Sequence, residues 1–245
     1  MTADTRKIIQ LILWAGLGLT VIRVGYIFYE RHEDQLALEK KKQAEARGYS
    51  NPDYYVLPRK LHPYDLKTAQ EITKQPAWVR VGYHFTYCAY QPATKHVDFA
   101  HSAGLLGPIE KLAITAVVVA ANRPGADPRQ VVAVFDKDGK PYAVPVGLES
   151  DDGSFKIYTD DIFFIEDPHD LYKHWPTDVW QAIDQHQVKL GMTEMQVVFA
   201  IGVGMLAAGS DSYSRTLSYP NGGKPLTIVY HDDKAVEITP ATPSS

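Results

Sequence analysis

Residues 8–29, IIQLILWAGLGLTVIRVGYIFY, form an apolar run in which only Gln10 and Arg23 are clearly polar. As an α-helix, a run of this length spans about 33 Å, and the hydrocarbon core of a bilayer is about 30 Å thick. Tyr26 and Tyr29 lie at one end, where aromatic side chains favour the membrane interface. We therefore predict a transmembrane helix. Its anchoring residues are Ile8, Leu11, Trp14, Gly16, Gly18, Thr20, Arg23, Tyr26 and Tyr29.

A cleavable signal peptide is the main alternative for residues 8–29. Signal peptides have a shorter apolar core, of about 7–15 residues, with a small-x-small cleavage site behind it. Here the aromatic stretch YIFYER follows the run directly, and no such site lies close behind it. The one cysteine of the chain is Cys88, so no cysteine behind the run could carry a bacterial lipid anchor. An uncleaved anchor is therefore preferred, and a buried core helix is the remaining alternative.

The composition excludes several classes of protein. Hydrophobic residues make up 45% and charged residues 22% of the 245 residues, which is ordinary for a globular protein and excludes a wholly disordered chain. The formal net charge of −4 argues against a nucleic-acid binder, because phosphate binding needs a basic excess. A single cysteine excludes an intramolecular disulfide and any multi-cysteine metal site.

Changes of pattern divide the chain into four predicted segments. Residues 1–48 form the transmembrane helix and a helical stalk, and residues 49–77 form a linker with a short helix over 65–75, for which Asp65 is the predicted N-cap. Residues 78–167 form a β domain, and residues 168–245 form a second domain with a tail. The predicted fold class is α+β, with an N-terminal transmembrane helix and stalk, a small antiparallel SH3-like β-barrel and a C-terminal ααβββ domain.

Alternating and continuous apolar runs predict the strands of the β domain. Residues 78–90 alternate with a period of two, and residues 112–121 are continuously apolar. The Asp138-Gly139 pair between two further apolar runs predicts a tight hairpin. Five or six strands of this length favour a small barrel or rolled sheet, and residues 91–111 are predicted to be a long loop.

His96, Asp98 and His101 in this loop are the candidates for a metal site. Imidazole and carboxylate groups are common metal ligands, but histidines in loops more often serve packing, so no metal and no cofactor is predicted. His84 and Cys88 share one face of the first predicted strand, yet at this spacing they would lie about 13 Å apart, too far for a nucleophilic pair. We therefore predict no catalytic residue.

The C-terminal region predicts two helices followed by three strands. The first helix begins at Thr177, and Thr193 and Gln196 have the spacing of a capping box at the start of the second. Gly202 is predicted to end the second helix, and the Asn-Gly-Gly turn at residues 221–223 separates two of the strands.

This region, residues 177–239, resembles the BamE-like (SmpA/OmlA) family of bacterial envelope domains. The matching features are Gly191-Met192-Thr193, Gln196-Val197, Gly202, Tyr219, Leu226, Ile228, Tyr230, Val236 and Ile238. The resemblance implies a non-catalytic scaffold that works by surface contacts outside the cytoplasm. The chain departs from the family in lacking the lipid-attachment cysteine, in carrying a β domain, and in the glycine-rich segment GVGMLAAGSD, which is longer than a tight helix–strand connection needs.

The predicted function is a membrane-anchored, non-catalytic envelope protein that acts as a protein-binding scaffold or assembly factor. Its predicted partners are the lipid bilayer and an unidentified membrane or envelope protein, with no nucleic acid. The predicted location is the bacterial inner membrane, single-pass, with the C-terminal domains in the periplasm. Basic residues around the apolar run favour a cytoplasmic C-terminus, so the periplasmic placement depends on the resemblance. The candidate partner contacts are Leu105, Leu106, Tyr172 and Trp175.

Two other functions remain open. In the first, the protein is an accessory subunit of a larger membrane complex, held through small residues of the transmembrane helix such as Gly16, Gly18 and Thr20. The second is an envelope hydrolase. It is less favoured, because the sequence has no G-x-S-x-G, H-E-x-x-H or P-loop motif.

Overall fold

The structure is a computed structural model that describes residues 51–121, 129–207 and 214–241. The chain divides into two compact units, Met1–Tyr55 and Val56–Ser245. The described part of the first unit contains one 3₁₀ turn, Pro52–Tyr55. The second unit contains the helices and strands described below.

The helices of the described residues are short, and the strands form three antiparallel sheets. The helices are α1 (Leu66–Ala69), which continues as the 3₁₀ helix Gln70–Lys74, α2 (Thr159–Ile162), α3 (Pro168–Leu171), α4 (Thr177–Asp184) and α5 (Glu194–Ile201). The strands are β1 (Ala77–Val79), β2 (Thr86–Gln91), β3 (His96–Leu105), β4 (Lys111–Leu112), β5 (Ile114–Val119), β6 (Arg129–Lys137), β7 (Lys140–Glu149), β8 (Phe155–Ile157), β9 (Phe163–Phe164), β10 (Met205–Leu206), β11 (Ser214–Tyr219), β12 (Leu226–His231) and β13 (Lys234–Pro240).

The largest sheet has six strands in the order β3-β2-β7-β6-β5, with β8 paired to β7. Its centre is the β6–β7 hairpin, which turns at Asp138 and Gly139 with φ values of +53° and +72°. Positive φ at both central residues is the geometry of the two-residue turn that an Asp-Gly pair favours, so the predicted hairpin is confirmed.

This sheet does not close into the predicted barrel. Its two edge strands meet at one end only, where Ala121 N donates to Lys95 O at 2.8 Å. Further along, the side chain of Gln70 occupies the outer edge of β5. Its Nε2 donates to Val117 O at 2.6 Å, and its Oε1 accepts from Val117 N at 3.3 Å. Because Gln70 already satisfies these edge groups, β3 cannot pair along β5, and the predicted SH3-like barrel is wrong.

A small central sheet, in the order β4-β1-β9, contributes side chains to two separate cores. In β1, Val79 packs into the core beneath the six-stranded sheet, while the neighbouring Trp78 packs into the C-terminal core. In β9, Phe163 and Phe164 divide between the same two cores in the same way. This follows from the strand geometry, because successive side chains of a strand point to opposite faces.

The C-terminal sheet has four strands, in the order β10-β11-β12-β13, where three strands were predicted. The predicted capping box at the start of α5 is confirmed: Gln196 N donates to Thr193 Oγ1 at 3.3 Å, and Thr193 N donates to Gln196 Oε1 at 2.9 Å. Gly191 N donates to Ala235 O at 2.8 Å, which joins the segment before this helix to β13. Helices and sheet enclose a core that includes Tyr219 and other aromatic side chains.

The segment predicted as one strand, residues 78–90, forms two strands in two different sheets. Between them the chain turns at Gly82, which packs so closely on Pro108 that a β-carbon there would lie 2.4 Å from the proline. Tyr83, the next residue, has a φ of +55°. The region predicted as a loop, residues 91–111, contains the ten-residue strand β3.

The predicted α+β fold class is also wrong, because the described residues are mostly β-sheet with five short helices. No helix among residues 51–121, 129–207 and 214–241 is long and apolar enough to cross a membrane. The run predicted to do so, residues 8–29 with all of its anchoring residues, lies outside the described residues. The predicted single-pass membrane architecture is therefore not supported.

Candidate functional site

The clearest exposed apolar feature of the C-terminal sheet and its helices is the segment that follows α5 and forms β10. Val203, Met205 and Leu206 are 47%, 62% and 65% exposed, although each has a large apolar side chain. Three exposed apolar side chains within four consecutive residues form a local patch, whereas isolated exposed apolar residues are normal on protein surfaces. We call this segment, Val203–Leu206, the β10 edge.

Two glycines explain why Val203 and Met205 point outward. Gly202 has a φ of +83°, and a β-carbon there would lie 2.4 Å from Gly82 O. A β-carbon at Gly204 would lie 2.7 Å from the ring of Tyr219. Both positions therefore face the protein interior at distances that only glycine tolerates. Since side chains alternate along an extended chain, Val203 and Met205 point to the other side. Leu206 follows Met205 and points to the opposite face of the strand, where it is also exposed.

The β10 edge is also the last strand of its sheet within the described residues. It pairs with β11 through Met205 opposite Ser218 and Leu206 opposite Leu217, and Ala207 N donates to Thr216 O at 2.9 Å. In an antiparallel ladder, the residue before such a bond points its own N–H and C=O away from the neighbouring strand. The backbone of Leu206 is thus directed to the free side of the sheet.

Of the two leucines predicted as partner contacts, the structure places one on the surface. Leu105, the last residue of β3, is 41% exposed. Leu106 is fully buried in the core beneath the six-stranded sheet, and its backbone N donates to Phe85 O at 2.9 Å. Leu106 therefore offers no exposed surface in this structure.

The two predicted aromatic contacts, Tyr172 and Trp175, lie inside the C-terminal core. Their rings stack on each other with centroids 4.6 Å apart, and Trp175 also lies 5.2 Å from Trp180 and from Phe199. Each aromatic ring buries a large apolar surface, so the cluster stabilises the fold from within. These two residues therefore cannot form the exposed surface that was predicted.

The histidine-rich stretch of β3 does not assemble a metal site. His101 Nδ1 lies 2.9 Å from Asp98 Oδ2 on the exposed side of the strand, while His96 Nδ1 lies 3.4 Å from Ala121 O. In the described part of the chain, no three histidine, cysteine, aspartate or glutamate side chains are grouped so that they could hold a metal ion.

Cys88 is equally unsuited to nucleophilic chemistry. It is buried on one face of the six-stranded sheet, and burial raises the pKa of its thiol above the ordinary value, with a further contribution from the Asp98 carboxylate. A raised pKa disfavours the thiolate, which is the reactive form. His84 packs edge-on against Phe85, with ring centroids 4.8 Å apart.

A crevice of about 400 Å³ opens between the β6–β7 hairpin and α2. Its wall is mainly apolar and includes Phe85 and Pro145, and its polar groups belong to Gln130, Tyr158 and Asp161. Its described lining residues include no histidine, cysteine or serine.

One titratable cluster was not found from the sequence. His169, in α3, places one ring nitrogen against Asp167 and the other against Asp184, at 2.9 and 3.1 Å. Its ring stacks on Trp180 with centroids 4.2 Å apart. Burial disfavours the charged ring, but the hydrogen bonds to the two carboxylates outweigh it and raise the pKa of His169 above 6.5. Asp184 lies 15 residues from His169 along the chain, so no local spacing could have indicated the cluster.

No family model, curated protein or solved structure matches the chain. The resemblance of residues 177–239 to BamE-like domains stays a prediction. The β10 edge, in contrast, had a signal in the sequence, because the segment GVGMLAAGSD is longer than a helix–strand connection needs.

Proposed function

We propose that this protein is a non-catalytic protein-binding module that takes up an extended apolar segment of a partner along the β10 edge. The observation that carries the proposal is the exposure of Met205 and Leu206 on the terminal described strand of a sheet, and of Val203 just before it. A free strand edge can accept another strand through main-chain hydrogen bonds, while neighbouring side chains provide specificity. β10 has only two residues, so apolar side-chain contacts contribute more to this binding than the ladder does.

The surroundings of the β10 edge support a binding role. The close packing of Gly202 on Gly82, and of Gly204 on Tyr219, fixes the segment to the interior at two points. A partner that binds there meets a surface fixed by its surroundings, and a preorganised surface loses less conformational entropy on binding. The predicted resemblance to BamE-like scaffolds favours the same kind of function, and the envelope location that it implies stays a prediction.

The accessory-subunit alternative depends on Gly16, Gly18 and Thr20, which lie outside the described residues. For the hydrolase alternative, no described cluster favours it over binding. His169 has each ring nitrogen already engaged by a carboxylate, Cys88 is buried, and the crevice beside α2 is lined mainly by apolar groups.

Site-specific photo-crosslinking in the cells that naturally produce the chain tests the proposal. A photoreactive residue in place of Leu206 is expected to give a discrete crosslinked product with another protein. The same residue in place of Val236 is the matched control, because Val236 is 51% exposed on β13, at the opposite edge of the same sheet. Val236 is expected to give no such product.

A second variant separates binding from folding. Met205→Lys places a charge in the proposed contact, and because Met205 is mostly exposed the melting temperature is expected to stay unchanged. The crosslink from position 206 is expected to disappear in this variant. Equal crosslinking from positions 206 and 236, or a crosslink that survives Met205→Lys, would show that the β10 edge is not the binding surface.

A further inference from the structure

Each ring nitrogen of His169 faces a carboxylate oxygen, so the ring can donate to both carboxylates only when it is protonated. Nδ1 lies 2.9 Å from Asp167 Oδ1, and Nε2 lies 3.1 Å from Asp184 Oδ1. Ionised carboxylates only accept hydrogen bonds. A neutral imidazole has one donor nitrogen and one acceptor nitrogen, so in that form one carboxylate would face a lone pair. Only the imidazolium ring donates at both nitrogens.

The two carboxylates belong to different helices. Asp167 is the N-cap of α3, where its Oδ1 also accepts from the backbone N of His169 at 2.9 Å. Asp184 is the last residue of α4. A charged ring between them therefore joins the start of one helix to the end of the next. In the part of the chain that the structure describes, the charged groups that interact with the ring are these two carboxylates.

The face of the ring is covered by Trp180 of α4, with centroids 4.2 Å apart and the planes tilted by 27°. A cation over an indole face is stabilised by the negative potential of the aromatic ring. The indole Nε1 of Trp180 in turn donates to Tyr172 O at 3.3 Å, so the cluster is attached to the aromatic core.

We infer that His169 is a pH-sensitive clasp, which holds α3 against the end of α4 when the ring is charged and gives up one of its two carboxylate bonds when the ring is neutral. The direction follows from linkage. A histidine with a raised pKa in the folded state stabilises that state fully below pH 6.5, and this contribution is lost as the pH rises through the raised pKa. Both carboxylate bonds of His169 are therefore formed in mildly acidic solution, and one of them is lost in alkaline solution. This inference does not depend on the proposed binding function.

Proton NMR titration of the full chain tests the clasp directly. The His169 ring is expected to titrate above pH 6.5, and Asp184→Asn, which keeps the shape but removes the charge, is expected to shift that midpoint downward. The matched control is Asp178→Asn, the same substitution at the other end of α4, which is expected to leave the midpoint unchanged. A midpoint at or below 6.5, or one that Asp184→Asn does not lower, overturns the inference.

A second measurement determines how the stability contributed by His169 depends on pH. The melting temperatures of the unaltered chain and of His169→Gln are compared from pH 5.5 to pH 9. The unaltered chain is expected to melt at the higher temperature at the acidic end, and the difference is expected to shrink as the pH rises. A difference that is constant across this range would mean that His169 contributes only packing, and would overturn the clasp.

Discussion

Replacing Gly82 by alanine is expected to destabilise the second unit through a purely steric effect. A β-carbon at this position would lie 2.4 Å from the N, Cα and Cγ atoms of Pro108, which are parts of a rigid ring and its backbone. Gly82 does not have a positive φ, so alanine meets no backbone strain of its own there. The turn between β1 and β2 must therefore move away from Pro108, or the proline must move.

The magnitude follows from two opposing contributions. Overpacking a buried site costs about 1–3 kcal/mol. A glycine-to-alanine change at a permitted backbone conformation restores about 0.4–1 kcal/mol by restricting the unfolded chain. The net loss lies between about 0 and 2.6 kcal/mol, and its midpoint of about 1.3 kcal/mol corresponds to a melting temperature roughly 3–5 °C lower for a folded unit of this size.

Thermal and urea unfolding, followed by circular dichroism, measure this loss. Gly107→Ala is the matched control from the facing segment, because a β-carbon there would lie 3.3 Å from Glu110 Oε2 and 3.7 Å from Glu110 Cβ, so a small shift of one side chain accommodates it. That variant is expected to match the stability of the unaltered chain within about 1 kcal/mol. If Gly82→Ala is as stable as Gly107→Ala, the close packing of Gly82 on Pro108 does not constrain the fold.

Two further substitutions test buried hydrogen bonds. Gln70→Ala is expected to lower the free energy of unfolding by about 1–3 kcal/mol, because it leaves the backbone N and O of Val117 without their partner at the β5 edge. Urea unfolding measures it against Gln75→Ala, a half-buried glutamine whose Oε1 accepts a solvent-exposed bond from Arg59 at 3.0 Å, and equal stabilities would contradict the role of Gln70. Tyr230→Phe is expected to cost a similar amount, since the buried hydroxyl of Tyr219, 2.7 Å away, loses its partner. The double variant with Tyr219→Phe is expected to recover part of the loss in a double-mutant cycle, and strictly additive losses would contradict a coupled pair.

Signals that act within a few residues predicted the structure well. Asp65 caps α1, with Thr68 N donating to its Oδ1 at 2.7 Å, and the capping box of Thr193 and Gln196 has both of its bonds. The Asp138-Gly139 turn has the backbone conformation that its sequence favours. In each case the interaction depends on side chains and backbone at fixed short spacing, which the sequence contains in full.

Long-range pairing was not predictable in the same way. The alternation over residues 78–90 continues across the turn at Gly82, because both flanking strands have buried faces, even though they belong to different sheets. β3 shows no clean alternation because its pairing with β2 is irregular. Between the pairs Cys88–Ser102 and Tyr90–Val97, one residue of β2 faces four of β3. Such a bulge changes which side each residue faces, so a period of two is lost.

The candidate surface was missed for a related reason. An apolar residue in a sequence predicts burial, so Met205 and Leu206 gave no indication of exposure, and the aromatic residues Tyr172 and Trp175 gave no indication of mutual stacking. Exposure depends on what the rest of the chain leaves uncovered. The surplus length and the glycines of the segment after α5 were the features that pointed to the β10 edge.

The central sheet has a consequence for how this protein can be divided. Trp78 and Val79 are adjacent in the chain but pack into different cores. Dividing the chain at any one peptide bond therefore does not separate the residues of one core from those of the other. A fragment ending before α3 would leave the indole of Trp78 and the ring of Phe164 open to water, and the complementary fragment would lack the two side chains that fill its centre. The two halves of the second unit are thus mutually dependent, and we expect neither half to fold without the other.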